Sequence, residues 1–164
     1  MAPAPQRTFS AFFAYSHRAE YYRNEMDRAL AVLQRTGRLK VWYDRRILGG
    51  EDWNSVIEDK LTSSDLVFLL LSPDFFSSDY CFNKEMREAL ARQSLNQAHV
   101  IPVIVRPVSG WDRTELGRLQ VVPKDAKAVT EWPNRDTAWR DVAEAITRLL
   151  DAIETSQVAA PTPV

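Results

Sequence analysis

Hydrophobic residues along the chain form two alternating patterns, short continuous runs and longer stretches with a helical repeat. The runs are typical of buried β-strands, and they lie at Phe9–Tyr15, Leu39–Tyr43, Leu66–Leu71, Val100–Val105 and, more weakly, Ala126–Thr130. The helical faces between and after them are formed by Tyr22, Met26, Ala29, Leu30 and Leu33; by Val56, Ile57 and Leu61; by Phe82, Met86, Ala89 and Leu90; and by Trp139, Val142, Ala143, Ile146, Leu149, Leu150 and Ile153. Alternation of this kind predicts βαβ units and a parallel sheet.

Five strands separated by helices predict an α/β fold of the flavodoxin-like type. This is a three-layer sandwich with a five-stranded parallel sheet of order 2-1-3-4-5 and helices on both faces. Ligands bind such sheets outside the carboxyl ends of the strands, here between the first and third strands. Those ends are Tyr15-Ser16-His17 and Ser72-Pro73-Asp74. We expect the helix that carries Glu85 to begin near Asp79, beside this crevice.

Both ends of the chain have the composition of linkers. Met1–Pro5 and Ser156–Val164 are rich in Pro and Ala and carry no charged side chain, so they offer little surface to bury. We therefore expect a disordered tail over 1–7, one domain over 8–154, and a linker over 155–164 that leads to a C-terminal module.

The composition of the 164 residues excludes several classes of protein. Hydrophobic residues are 45% and charged residues 26%, as in ordinary globular domains. A formal net charge of −1 argues against nucleic-acid binding. The apolar run at Leu66–Leu71 is too short to cross a membrane, so we expect a cytoplasmic protein with no membrane partner. One cysteine and two histidines disfavour a zinc site, and no metal is expected.

Familiar catalytic motifs do not occur, and the segment Asp79–Glu85 places one acid, Glu85, near the predicted crevice. The sequence has no G-x-G-x-x-G, no P-loop and no G-x-S-x-G elbow. At helical spacing, Glu85 lies roughly 75° from the centre of the apolar stripe, with Cys81 one turn earlier on the same flank. This places Glu85 at the boundary between core and solvent. An ordinary solvated helix acid has the same pattern, and Glu88 with Arg92 is read as such a surface pair.

The loop Asp44–Trp53 carries two hydrophobic residues, Ile47 and Leu48, among charged ones. One interpretation is a surface loop whose apolar pair folds back onto the domain. The other is a contact loop for a ligand or a second subunit, because loops at the carboxyl edge often carry function. The pattern leaves both open.

Together these segments resemble a TIR domain of bacterial type. The resemblance rests on four stretches in order, which cover nearly all of residues 8–154: Phe12–His17, Asp44–Trp53, Leu66–Cys81 followed by Glu85, and Val100–Val103 with its proline. It implies one of two activities. Many bacterial TIR domains cleave NAD⁺ to nicotinamide and ADP-ribose or cyclic ADP-ribose, whereas other members only bind one another. It also implies the N-terminal effector domain of a larger defence or signalling protein with a C-terminal sensor domain.

The resemblance assigns roles to individual residues. Glu85 matches the essential glutamate of the enzymes, and Trp53 matches the aromatic on the nicotinamide side. Further substrate contacts are implied for Tyr15, Ser16, His17, Gly50, Tyr80 and Cys81, the last two lying where many members have tryptophan. Self-association, head to tail, is implied through Arg45, Arg46, Ile47 and Leu48. NAD⁺ is then a substrate, and no cofactor is expected.

The expected chemistry suits one carboxylate and one flat aromatic side chain. Nicotinamide leaves a pyridinium as a neutral molecule, and the ribose left behind resembles an oxocarbenium ion. A carboxylate can stabilise that cation, and the Trp53 ring can stack on the cationic pyridinium. Water as nucleophile gives hydrolysis, and an internal nucleophile gives a cyclic product.

Overall fold

Four parallel strands form the centre of the computed structural model, which describes residues 7–42 and 59–159. They are β1 (Phe9–Ala14), β2 (Leu39–Trp42), β3 (Leu66–Leu71) and β4 (His99–Ile104), in the order β2-β1-β3-β4. The α/β class, the parallel sheet and the central position of β1 and β3 confirm the prediction. The topological switch point therefore lies between these two strands, where the ligand crevice was predicted.

The fifth strand, predicted at Ala126–Thr130, is wrong within the part of the chain that the structure describes. Instead, Val122 makes a single parallel bridge to Val103, with its amide donating to the carbonyl of Pro102 at 3.0 Å. Extended backbone cannot continue from there, because Pro123 has no N–H and Asp125 and Ala126 are left-handed, with φ of 62° and 55°. Short 3₁₀ turns at Lys124–Ala126 and Val129–Glu131 follow.

Helices cover both faces of the sheet. Their bounds are α1 (Glu20–Ala29), α2 (Ala31–Arg35), α3 (Pro73–Ser77), α4 (Arg87–Ser94) and α5 (Arg135–Ala159), with a π-helical segment at Tyr80–Met86 leading into α4. Residues 59–63 are also helical. Among the helices that the structure describes, none combines the length and the apolar character that crossing a membrane requires.

The last helix extends beyond the predicted end of the domain. It includes residues 155–159, which the sequence pattern assigns to the linker. Near its end, the buried guanidinium of Arg38 contacts the carboxylates of Asp151 at 2.8 Å and Glu154 at 3.2 Å. These ion pairs hold the end of α5 against the turn that precedes β2.

The alternation of side chains along β1 separates two cores. Phe9, Ala11, Phe13 and the following Tyr15 belong to the core beneath α1 and α5, which includes Met26 and Trp139. Phe12 and Ala14 belong to the opposite core, with Leu61, Phe75, Cys81 and Met86. The helix that carries Glu85 packs on this second side.

Candidate active site

The carboxyl ends of β1 and β3 lead directly into short turns. Ser16 caps the turn His17–Ala19, its hydroxyl accepting from the amide of Arg18 at 3.4 Å. Ser72 caps α3 in the same way, accepting from the amide of Phe75 at 3.1 Å. His17 is exposed and Ser16 half-buried. Both therefore lie at the edge of the sheet where the crevice was predicted.

Tyr15 is buried in the hydrophobic core on one face of the sheet. Its side chain is 3% exposed and lies in the core beneath α1, with the guanidinium carbon of the buried Arg23 5.7 Å from its ring centre. Cys81 lies in the opposite core. The two side chains thus sit on different faces of the sheet.

The segment Tyr80–Met86 is a π-helix rather than the first turns of an ordinary α-helix. In a π-helix each backbone bond spans five residues instead of four, so each residue turns by less than 100° about the axis. Residues four apart consequently come onto one face, and Cys81, Glu85 and Ala89 are all buried. Segments of this kind are rare and occur frequently at functional sites.

Glu85 is buried, with 5% of its surface exposed. The prediction that it lies at the boundary between core and solvent is therefore wrong, because that prediction assumed α-helical spacing. Cys81, one turn earlier, packs with Ala14 at the carboxyl end of β1 and with Phe75 of α3. The π-helical segment also lies against β1. The geometry therefore puts a buried carboxylate on the helix that adjoins the predicted crevice.

Arg92 is not part of a surface pair with Glu88. It is buried, and its guanidinium donates to the backbone carbonyls of Leu61, Ser64 and Gln97. Burial lowers the pKa of Arg92, against the opposing effect of the Asp65 and Glu88 carboxylates. Its position three residues after the buried Ala89, on the apolar face, is the sequence signal for this burial.

Two further contacts near the carboxyl edge were not predicted. Arg106, just after β4, donates to the carboxylate of Asp74, just after β3, at 3.4 Å. The ammonium of Lys60 lies 4.1 Å from the centre of the Trp42 ring at the end of β2. This second contact ties residues 59–63 to the edge of the sheet.

Several predicted site residues lie outside the described residues. These are Gly50, Trp53 and the proposed self-association residues Arg45, Arg46, Ile47 and Leu48, and the side chain of Tyr80 is also outside them. Their roles stay predictions. The predicted site residues whose side chains the structure describes are the expected catalytic Glu85 and the expected substrate contacts Tyr15, Ser16, His17 and Cys81.

A protein-family model described as TIR domain matches residues 12–150. The chain belongs to the TIR domain family. The match includes the carboxyl half of β1 and all of β3, the π-helical segment and β4, which are the elements around the predicted crevice. It ends at Leu150, within α5.

Two individual proteins extend the comparison. The uncharacterized protein y4lF of Sinorhizobium fredii (strain NBRC 101917 / NGR234) is 40% identical in an alignment 161 residues long, and the alignment covers 94% of this chain and 50% of that protein. The chain thus spans half the length of this relative. The crystal structure of the TIR domain of the Toll-related receptor TRR-2 from Hydra magnipapillata superimposes with a TM-score of 0.60 at 20% identity, covering 85% of this chain and 99% of that one. The structural similarity to the Hydra domain shows that the two chains share a fold.

Proposed function

We propose that this TIR domain is an NAD⁺ glycohydrolase, which cleaves NAD⁺ between nicotinamide and ribose with Glu85 as its catalytic residue. One observation carries the proposal: a carboxylate is buried in a π-helical turn that lies against β1, next to the predicted crevice between β1 and β3. Burying a carboxylate costs free energy that an exposed position avoids. Such a group in a crevice is a candidate for chemistry.

The reaction needs little acid–base catalysis. The bond between the ribose C1′ and the pyridinium nitrogen breaks, and its electron pair stays on nicotinamide, which leaves as a neutral molecule. Positive charge develops on the ribose, as in glycoside cleavage. Water adds to C1′ and loses a proton to give ADP-ribose, or an internal nucleophile adds and gives a cyclic product.

The role of Glu85 follows from its burial. A carboxylate with little surrounding water interacts more strongly with a developing cation than a solvated one does. Its oxygens can also accept hydrogen bonds from the ribose hydroxyls and orient the sugar. Ser16 and His17, at the end of β1, would line the same crevice, and Trp53 would stack on the nicotinamide ring.

Self-association is the second part of the proposal. The partner is another copy of the domain, in a head-to-tail contact through the loop Asp44–Gly50, where Ile47 and Leu48 gain most from burial. A C-terminal module would tether neighbouring domains and raise their effective concentration to roughly millimolar. Because heterologous contacts propagate, filaments are the expected assembly.

Incubation with NAD⁺ tests the enzymatic part. Protein at high concentration is mixed with NAD⁺, and nicotinamide is separated and measured by chromatography. Release of nicotinamide that requires the protein and is absent from a protein-free control supports the glycohydrolase. Protein that self-associates in sedimentation experiments but leaves NAD⁺ intact would instead be a non-catalytic interaction module of the kind that the family also contains.

A further inference from the structure

Arg92 joins two segments that are far apart in the chain. Its side chain is 8% exposed. Nη1 donates to the carbonyl oxygens of Leu61 at 2.5 Å and Ser64 at 3.0 Å, and Nη2 donates to the carbonyl oxygen of Gln97 at 3.0 Å. One guanidinium thus binds the turn before β3 and the turn before β4.

The chemistry of helix ends explains why an arginine suits this position. The last carbonyl groups of a helix have no partner within the helix, and they carry partial negative charge. The helical residues 59–63 end beside Arg92, whereas its third acceptor, Gln97, lies in the turn beyond the end of α4 at Ser94. The planar fork of arginine can serve several such carbonyls at once, whereas the ammonium of lysine is a compact point charge.

Both joined segments lead to the candidate active site. Residues 59–63 follow directly on the stretch that contains Gly50 and Trp53. Helix α4 continues the π-helical segment that contains Glu85. Leu61 also packs in the same core as Cys81 and Met86. Arg92 itself lies seven residues after Glu85, roughly 10 Å along the helix axis.

We propose that Arg92 is a positioning residue for NAD⁺ cleavage: it locks the helix that continues from Glu85 against residues 59–64 and so fixes the position of the Glu85 carboxylate beside β1. This inference rests on the proposed function. Arg92 does not touch the substrate and acts through the two segments that it joins. An error of about 1 Å in such an arrangement can cost roughly a hundredfold in rate.

The test compares Arg92→Lys with Arg87→Lys. Arg87 is a matched control, because it lies on the same helix but its side chain is 56% exposed and pairs with Glu115 at 3.8 Å. Both variants keep the charge. Amide hydrogen exchange at residues 59–64 is measured together with kcat and KM, at a temperature where circular dichroism shows each variant to be folded.

In Arg92→Lys we expect exchange at residues 59–64 to accelerate by about tenfold or more, because hydrogen bonds from a charged donor are lost. We expect kcat per folded molecule to fall by roughly a hundredfold. Arg87→Lys should match the wild type in both. A residue that only stabilises the fold would leave kcat per folded molecule unchanged, so wild-type kcat in folded Arg92→Lys overturns the proposal.

Failure of this inference can be told from failure of the proposed function. If the wild-type protein leaves NAD⁺ intact, the glycohydrolase is wrong, and exchange alone decides whether Arg92 joins the two segments. If Arg92→Lys does not fold, amide hydrogen exchange in the wild-type protein tests whether Arg92 joins the two segments. The amides of residues 59–64 and 92–97 should then open with equal free energies, and clearly different values contradict the proposal.

Discussion

Single residues in this site differ mainly in how much water reaches them. Glu85 is nearly removed from solvent, whereas His17 is exposed and Ser16 is half-buried. Tyr15 is buried too, but in the core on the other face of the sheet. Of the side chains that the structure places, Glu85 is therefore suited to stabilising a cation, while Ser16 and His17 are suited to contacting a substrate that enters from solvent.

Replacing Trp53 with alanine tests whether this side chain serves the substrate or the fold. If Trp53 stacks on the nicotinamide ring, Trp53→Ala should raise the KM for NAD⁺ with a loss of about 0.5–2 kcal/mol in binding, and thermal unfolding should change little. If Trp53 is a core residue, its truncation costs about 3–5 kcal/mol of stability. A large fall in Tm would contradict the substrate role.

The sequence pattern could identify Glu85 only as a helix acid near the predicted crevice. Its proposed role came from the resemblance to TIR domains, because a lone glutamate carries no motif. Its burial could not be predicted, since the π-helical segment changes the angle between successive residues. Arg92 was missed for a different reason: an arginine near a glutamate at i,i+4 spacing is the pattern of an ordinary surface pair.

A group of side-chain hydrogen bonds joins α1 to the start of α5. The carboxylate of Glu25 accepts from Arg135 at 2.6 and 3.2 Å and from the indole N–H of Trp139 at 2.8 Å. Burial alone would raise the pKa of Glu25, but these hydrogen bonds and the charge of Arg135 outweigh it and lower the pKa below 4.5. The ionised carboxylate therefore stabilises the packing of α1 against α5.

Glu25→Gln should lower the free energy of unfolding at neutral pH by about 1–3 kcal/mol, because hydrogen bonds to a charged group are weakened. The folded-state pKa is depressed, so the stabilisation is complete above the unfolded value of about 4.5 and is lost as the pH falls through the folded value. Urea unfolding of wild type and variant at several pH values measures this stabilisation. If the free energy of unfolding differs between wild type and Glu25→Gln by the same amount at neutral and at strongly acidic pH, the stabilisation does not come from the ionised Glu25 carboxylate.

The strands with a continuous hydrophobic run have nearly the bounds that were predicted, whereas the weaker run at Ala126–Thr130 does not form a strand. The run Leu66–Leu71 is a strand with the predicted bounds, because six apolar residues in a row suit a strand covered on both faces and are too few for a typical buried helix. The run at Ala126–Thr130 has buried members in Ala128 and Val129. Buried residues without extended backbone give the same hydrophobic signal as a strand. The left-handed conformations of Asp125 and Ala126, at the start of the run, could not be recognised from the residue types.

The whole molecule is proposed to act through contacts between copies. We expect the isolated domain to be monomeric or weakly associated, with specific activity that rises steeply with protein concentration. Ile47→Asp combined with Leu48→Asp should abolish activity while the circular dichroism of the monomer stays that of the wild type, because charge opposes burial of the loop. Specific activity that is flat over a wide concentration range, with an active double variant, would mean that one subunit contains a complete site.

For the molecule as a whole, the sequence predicted the α/β architecture but not the residue at which the last helix ends. The Pro/Ala composition after Ser156 indicated a linker, yet α5 continues to Ala159. Alanine and glutamine favour helix once a helix is already formed, and Arg38 anchors its preceding turn through Asp151 and Glu154. These ion pairs join residues far apart in the chain, so the local composition does not reveal them.

The most direct measurement compares the NAD⁺ turnover of Glu85→Gln with that of Glu88→Gln. Glu88 is on the next turn and half-buried, so the pair separates the loss of one particular carboxylate from the loss of any helix carboxylate. Both variants must first show wild-type circular dichroism and self-association. We expect nicotinamide release to disappear in Glu85→Gln and to persist in Glu88→Gln. Cleavage of NAD⁺ by folded Glu85→Gln at the wild-type rate would contradict the assignment of the catalytic residue.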